Sequence, residues 1–367
     1  MKTIKHSEAA NTLALPTEGD RTFAIVHDFP RSDVEEAWRD CLSRVEFPAH
    51  YDSPEFFEEP RWVGEHPFAV LALDRGCIVG VLTGLHGDNH VISGLQSRPQ
   101  ICVDRTAEFN TVLRRLAQGL LAEAGSAKLI TIYSWSSLQL HAFESCHFRR
   151  KELEGDVVLD LTEKPEALFK QLHASRRKNI RQAIRRGIEV FPAKTLEDAE
   201  AFYRVHASWH QAKRKKIETP QIPWEAFSQR FCQSGNFVFM LARYLGQVIA
   251  GITLRFFPGG LVEFSNHSSL EEFLHLKPND LLQWKCVEWA CREGFRRCSF
   301  GGAHTFHRRF GGTVVPISRY RLDRTLLHRY DRQEATLDLM RGGFRKLPRP
   351  LQRVVRRIAN KEEPCLS

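Results

Sequence analysis

Two stretches of the chain carry the same pattern of apolar and polar positions. FAVLALDRGCIVGVLTG (68–84) and FVFMLARYLGQVIAGIT (237–253) each run apolar for a strand's length, break at a polar turn holding Gly76 or Gly246, and run apolar again. That pattern predicts a β-hairpin in each half. A short segment rich in Pro and aromatics precedes each hairpin, SPEFFEE (53–59) or IPWEAFSQRF (222–231). Each hairpin is followed by a third strand and a long helix, over 105–125 in the first half and 278–295 in the second. Gly125 and Gly294 fall where such helices stop. A further strand follows each, AKLITIYS or RRCSFGG. The same elements in the same order predict two tandem α/β domains that join near 150–160.

The second half begins with DVVLDL (156–161) and two helices, PEALFKQLH and SRRKNIRQAIRRG. On the latter, Ile180, Ala183 and Ile184 have helical spacing and are predicted as the buried stripe. Arg177 and Arg181 share one face; Lys178 and Arg185 share another. IEVFPA (188–193) is predicted to return as a strand, and LEDAEAFYRVHASWHQAKRKK as a long helix leading to the hairpin. Past Pro350, Leu351, Val354, Val355 and Ile358 recur at i, i+3, i+4, i+7, with Arg353, Arg356, Arg357 and Lys361 opposite. This is a short basic amphipathic helix. The chain divides into a leader (1–20), a first domain (21–155), a second domain (156–340) and a basic tail (341–367).

Composition changes this picture only locally. Apolar content of 42% and charged content of 26% suit a globular protein with a real core. No run of apolar residues approaches 18, so no membrane span is expected. The N-terminus lacks an apolar core of signal-peptide length and is expected to be a disordered leader. Nine cysteines show no C-x-x-C spacing, and Cys286, Cys291 and Cys298 fit no zinc module. Reduced thiols and a cytoplasmic location follow. The net charge of +9 is concentrated, because residues 341–361 hold eight Lys/Arg and no acid. A nucleic-acid binder would spread its charge over a face of the fold, so no DNA partner is expected. At about 1 kcal/mol per basic residue near an anionic leaflet, the tail suits peripheral binding on the inner face of the cytoplasmic membrane. Docking of its apolar face on the body is the other outcome.

SFGGAHTFHRRFGG (299–312) concentrates the candidate chemistry. It matches neither G-x-x-x-x-G-K-[ST] nor G-x-G-x-x-G. Strand, two helices, a meander of strands, helix and strand is an order that resembles the GNAT acyltransferase fold. ASRRKNIRQAIRRGIEV (174–190), KPNDLLQWKCVEWACREGF (277–295) and SFGGAHTFHRRFGG resemble segments of the second domain of FemAB-like proteins, the peptidoglycan bridge-forming aminoacyltransferases. They also fit FemAB-like GNAT acetyltransferases associated with exopolysaccharide and cellulose synthesis. The likeness spans most of 155–322. It implies an α/β (α+β) chain of two tandem GNAT-like domains, each a mixed sheet flanked by helices. Two positions depart from the family's pattern. Ser299 stands where an acid is common before the Gly pair, and His307 stands for the Lys of F-K-x-x-F-G.

The implied reaction is acyl transfer to an amine of a cell-envelope or polysaccharide precursor, the acceptor being a small molecule or lipid-linked. An alkylamine of pKa ~10 is about a thousandfold protonated at neutral pH and must lose that proton. The developing oxyanion needs donors, and the phosphates of the acyl donor need cations or a helix start. His307 is the candidate base or oxyanion donor, and Glu263, on a central strand, is the candidate general base, with His267 beside it. Lys277 and Asn279, near Pro278 at a helix start, are the candidate donor site; capping by Asn279 or Asp280 is the bland alternative. Phe306, Arg308, Phe310 and Gly311 are expected around donor or acceptor. Arg176, Arg177, Lys178 and Arg181 would bind a phosphorylated group, or else be a solvated face. Lys213 through Lys216 are expected as a solvated helix end. His304 and His307 form H-x-x-H without a third ligand, so no metal is expected. The His at 307 and the lack of a helical-arm insertion between 195 and 235 favour acyl-coenzyme A over aminoacyl-tRNA as donor. A non-catalytic binding module is the alternative from a different class.

Overall fold

The computed structural model describes residues 22–59, 65–94, 101–135, 140–213, 222–232 and 235–346, with side chains to 340. The leader, Arg214 to Lys216 and the amphipathic segment beyond Pro350 lie outside the described residues. In the first half, β1 (Phe23–Val26) and α1 (Ser32–Ser43) lead to the hairpin β2 (His66–Asp74) and β3 (Cys77–His86). Next come β4 (His90–Ser93), β5 (Ile101–Val103), α2 (Phe109–Ala124), β6 (Leu129–Trp135) and α3 (His141–Ser145). β7 (Arg149–Asp160) crosses into the second half, where α4 (Pro165–Gln171), α5 (Ala174–Arg185), β8 (Glu189–Pro192), α6 (Leu196–Lys213) and α7 (Trp224–Cys232) follow. The second hairpin is β9 (Phe237–Tyr244) and β10 (Gln247–Phe256), followed by β11 (Leu261–Ser269), α8 (Pro278–Arg292) and β12 (Arg297–Ser299). A one-turn α9 (Thr305–Arg308), β13 (Thr313–Asp323) and α10 (Arg329–Lys346) complete the described chain.

The predicted repeat is present down to its turns. Asp74 pairs with Cys77 across Arg75 and Gly76, and Tyr244 with Gln247 across Leu245 and Gly246. All four turn residues have positive φ, between 47° and 83°. Two consecutive left-handed residues make the turn whose twist suits a hairpin, and glycine at the second position removes its steric cost. Each hairpin also carries a register shift near its turn, at Ala72/Leu73 and Val248/Ala250. α2 buries Val112, Leu113, Leu116, Ala117, Leu120 and Ala124 on the first hairpin's sheet. α8 buries most of its length, from Leu281 to Ala290, because α5 covers the side that the sheet leaves open.

The two sheets fuse. The strand order is β1-β2-β3-β4-β6-β13-β7-β12-β11-β10-β9-β8, with β5 on β3. β13, last in sequence, lies between the halves: Ile317–Asp323 pairs with β6, and Thr313–Arg321 with β7. Its approach is close at Gly312, where a Cβ would sit 2.6 Å from Val158 O. DVVLDL proves to be the end of a longer strand, whose first residues, from Arg149, bind β13. Ile184 departs from the predicted stripe: it is 53% exposed. Arg176 takes the buried position instead, at i with Ile180 and Ala183 at i+4 and i+7.

Candidate active site

A split in the second half's sheet sets the site. β11 and β12 pair over only three residues, Leu261, Val262 and Glu263 opposite Arg297, Cys298 and Ser299. β11 continues to Ser269 along β10. The chain after Ser299 turns away, and Phe300 N donates to Val157 O on β7 at 3.0 Å. Parallel strands that part in mid-sheet leave a wedge between them. β11 also bulges by one residue, since Gly251 opposes Ser268 while Thr253 opposes Ser265. Asn266 absorbs the extra residue at φ 47°. Such a bulge re-aims the side chains beside it.

His267 stands in that bulge. Gln283 of α8 lies 3.4 Å from its Nδ1, and its Nε2 is buried without a hydrogen-bond partner. Burial pushes its pKa down to about 4. Behind it, His206 of α6 holds Ser268 Oγ at 3.0 Å and packs on His210, the ring centres 4.4 Å apart. His206 is also pushed to about 4, by burial and then by His210 and Arg230.

The opposite wall is the Gly-pair loop. Asp156, fully buried on β7, accepts from Ser299 Oγ and from Gly302 N at 2.7 Å. The carboxylate missing at position 299 is therefore supplied by a neighbouring strand. Gly301 N donates to Ser299 Oγ at 3.3 Å, so both amides of the pair are engaged within the loop. His307 is 9% exposed and lies between Phe300, Phe306 and His304. Its Nδ1 is 2.9 Å from Gly302 O. A carbonyl only accepts, so Nδ1 carries the hydrogen and Nε2 keeps its lone pair. Burial lowers this imidazole to about 4; the Gly302 bond opposes that, while His304, His267 and Arg176 add to it. His307 is neutral at physiological pH.

The third wall is the start of α8. Lys277, at its N-cap, has φ 68° and gives no side-chain cap. Asn279 reaches back to Ser269 Oγ at 3.2 Å, and Asp280 binds Arg176 at 2.5 Å and Asn179 at 3.3 Å. The bland reading of either as the cap does not hold, and the positive end of the helix dipole is left uncapped by side chains. Arg176 spans the site, its guanidinium 4.0 Å from the Phe306 ring and 5.7 Å from that of Phe310.

His307, Phe306, Phe310, Asn279, Arg176 and His267 are thus brought together, with Lys277 next in the chain to the start of α8. The other basic residues are not. Arg177 donates to Lys170 O at 2.8 Å and to Leu172 O, closing the end of α4. Lys178 and Arg181 are exposed, Arg181 over Phe169. Arg308 donates to Ala303 O and faces Glu154 at 3.6 Å. Gly311 turns the chain at φ 84° against Gln171. Glu263 lies at the base of the split, 1% exposed, its Oε2 3.1 Å from Arg255 Nε. Arg255 lies 3.8 Å from Glu59, which also holds Arg230 at 2.9 Å, and stacks 3.7 Å over Tyr51. This buried network joins the halves. Asp156 and the His206–His210 pair escaped the sequence reading. Only the histidines left a signal, i and i+4 on one helix.

Residues 174–309 match the family model of the acetyltransferase (GNAT) domain. The crystal structure of FemX is similar over 80% of this chain and 96% of its own, with a TM-score of 0.62 at 13% identity. The C-terminal domain of a putative lysylphosphatidylglycerol synthetase from Agrobacterium fabrum gives 0.58 at 12% identity, over 84% and 95%. A tandem GNAT protein from the clavulanic acid biosynthesis pathway gives 0.52 at 12%, over 83% and 99%. No curated protein matches significantly. The chain has the fold of FemX and of tandem GNAT proteins, with the acetyltransferase (GNAT) domain match lying in its second half, and its two halves are the tandem GNAT-like domains expected from the repeat.

Proposed function

We propose that the second half transfers an acyl group from an acyl-coenzyme A to an amine of a cell-envelope or polysaccharide precursor. The observation that carries this reading is the split between β11 and β12, which opens beside an uncapped helix start and two neutral imidazoles. The donor's phosphates sit at the first turn of α8 with Lys277, where amides and dipole favour an anion. Its thioester reaches into the split. The amine nitrogen attacks the acyl carbon, the C–N bond forms and the C–S bond breaks. Nitrogen gains positive charge as it attacks, which makes its proton acidic enough for His307 Nε2 to take despite the low basicity of that imidazole. The thiolate leaves and takes from His307 Nε2 the proton that the amine gave up, which returns the imidazole to its neutral form. In this reading Glu263 holds the join and His307 does the proton transfer.

Thermal shift with acetyl-coenzyme A, a longer acyl-coenzyme A, and charged and uncharged tRNA tests the donor, since a ligand of the folded state raises its midpoint. A coenzyme A response supports the proposal. A response to charged tRNA alone moves it to aminoacyl transfer, a reading favoured by the likeness to FemX and the lysylphosphatidylglycerol synthetase domain. Silence from all four makes the chain a binding module. A lipid-linked acceptor would suit the basic tail. No described helix is long and apolar enough to cross a membrane. Deleting 347–367 is expected to release the protein from vesicles rich in anionic lipid; retention would place the contact elsewhere.

A further inference from the structure

The first half has a cavity of its own, of about 260 Å³, at the place that corresponds to the donor split. β4 and β6 run parallel from His90 and Leu129 to Ser93 and Ile132 and then part, and Trp135 ends β6 in the cavity wall. β5 and the residues leading into α2 form the other side. Phe47, Phe109 and Trp135 make the walls aromatic, and Asp52 is set among them.

Two wall groups are buried with their hydrogen-bonding capacity unused. Asp52 is 2% exposed; its Oδ2 accepts from Ala49 N at 2.8 Å, and its Oδ1 has no hydrogen-bond partner. The Cys102 thiol in the wall bonds to the Asp52 carboxyl, and a thiol is a weak donor that leaves Oδ1 room for a stronger one. Trp135 is 4% exposed and its Nε1 has no acceptor. Leaving such buried groups unpaired is destabilising. One wants a donor and the other an acceptor.

The cavity lining carries three acids, Glu46, Asp52 and Asp104, against one cation, Arg105, a balance that disfavours an anion. Asp104 is engaged by Arg44 at 2.5 Å, and Glu46 lies 4.0 Å from Arg297. Glu108 occupies the first turn of α2, accepting from Asn110 N at 3.2 Å and Thr111 N at 2.6 Å. The helix start that would hold a phosphate is filled by the chain's own carboxylate. Asp52 is the buried acid left facing the space; Phe47 already carries Arg297 at 3.7 Å, and the rings of Phe109 and Trp135 remain to attract a cation.

We infer that this cavity binds a small organic amine that also carries a carbonyl or hydroxyl oxygen, its ammonium on Asp52 and its oxygen on Trp135 Nε1. The site is separate from the acyl-transfer split and does not rest on the proposed reaction.

L-Phenylalaninamide has the ring, ammonium and carbonyl required; 3-phenylpropanamide lacks only the ammonium, and phenethylamine only the carboxamide. Calorimetry on the full chain is expected to show saturable binding of L-phenylalaninamide, at least tenfold weaker binding of 3-phenylpropanamide, and an intermediate affinity for phenethylamine. Asp52→Asn should lose at least tenfold for L-phenylalaninamide. Trp135→Phe should weaken L-phenylalaninamide several-fold and leave phenethylamine unchanged. Acetyl-coenzyme A should not compete. Equal binding of the amine and its deaminated counterpart, binding undisturbed by Asp52→Asn, or no binding at millimolar concentration would overturn the inference. The ligand comparison on the unaltered chain decides it even if Asp52→Asn fails to fold.

Discussion

Helices α2 and α8 hold the same place in the two halves, each between a third strand and the strand that parts from it, yet their first turns have opposite chemistry. α2 starts at Glu108, whose carboxylate takes the free amides of the turn. α8 starts at Lys277, with no side-chain cap, and its first acid, Asp280, is held by Arg176. The strands beside them differ too. β11 bulges and presents His267, while the corresponding stretch of the first half breaks into β4 and β5 over an acidic, aromatic cavity. One fold repeated twice gives two helix starts of opposite charge, and under the proposed function only the uncapped one receives the donor's phosphates. The comparison teaches that the fold places a cleft and the first helical turn assigns its charge.

The largest expected effect tests whether the halves form one unit. Glu59 comes from the first half and Arg230 and Arg255 from the second, and all three side chains are at most 1% exposed. Glu59→Ala should cost about 3–5 kcal/mol in urea unfolding, because it strands buried cations. A cost below about 1 kcal/mol would mean that the buried network adds little to the join that β13 makes between the halves.

Next in size is His307→Ala, expected to cut turnover at least tenfold while the thermal midpoint stays within a few degrees. Unchanged turnover would remove His307 from the chemistry. His307→Lys should restore part of the rate if the position serves only to supply a charge, and none if a neutral acceptor is needed.

The smallest effect is in the pH dependence of stability. His206, His267 and His307 titrate near 4 when folded, below the usual 6.5. The unfolded chain then binds more protons between those values, so stability falls as pH drops from about 6.5 towards 4. Asp52, pushed by burial up to about 7, acts the other way: its folded form binds the proton first, and stability gains as pH falls from 7 towards 4. Thermal scans should show a net loss over this range that shrinks in His267→Gln and grows in Asp52→Asn. A loss equal in both variants and in the unaltered protein would place its origin in other groups.

Much of the fold was legible because it repeats. Paired hairpins, turn glycines at 76 and 246, and helices stopping at 125 and 294 are local features, and each was read in its place. The insertion of β13 between β6 and β7 was not, since the strand's partners lie more than 150 residues back and no local pattern names them. Ile184 shows another limit. Spacing placed it on the buried stripe, but the long-range bond from Arg176 to Asp280 rotates a charged residue inward in its stead. The site was legible where its residues are adjacent, as in Phe306, His307 and Phe310. Glu263 was legible as a carboxylate on a central strand, while its partners Arg255 and Glu59 were not. Asp156 gave no signal at all, because an acid at the edge of an apolar strand reads as a solvated end.

The central claim is that the uncapped start of α8, and not that of α2, receives the anionic donor. Calorimetric titration of acetyl-coenzyme A into Lys277→Asp and Glu108→Ala tests it most directly, with Lys277→Gln as the control for charge alone. The account predicts that Lys277→Asp, which gives α8 the carboxylate α2 already has, weakens binding at least tenfold. It predicts a smaller loss in Lys277→Gln and none in Glu108→Ala. Binding unchanged in Lys277→Asp, or altered only in Glu108→Ala, would contradict it.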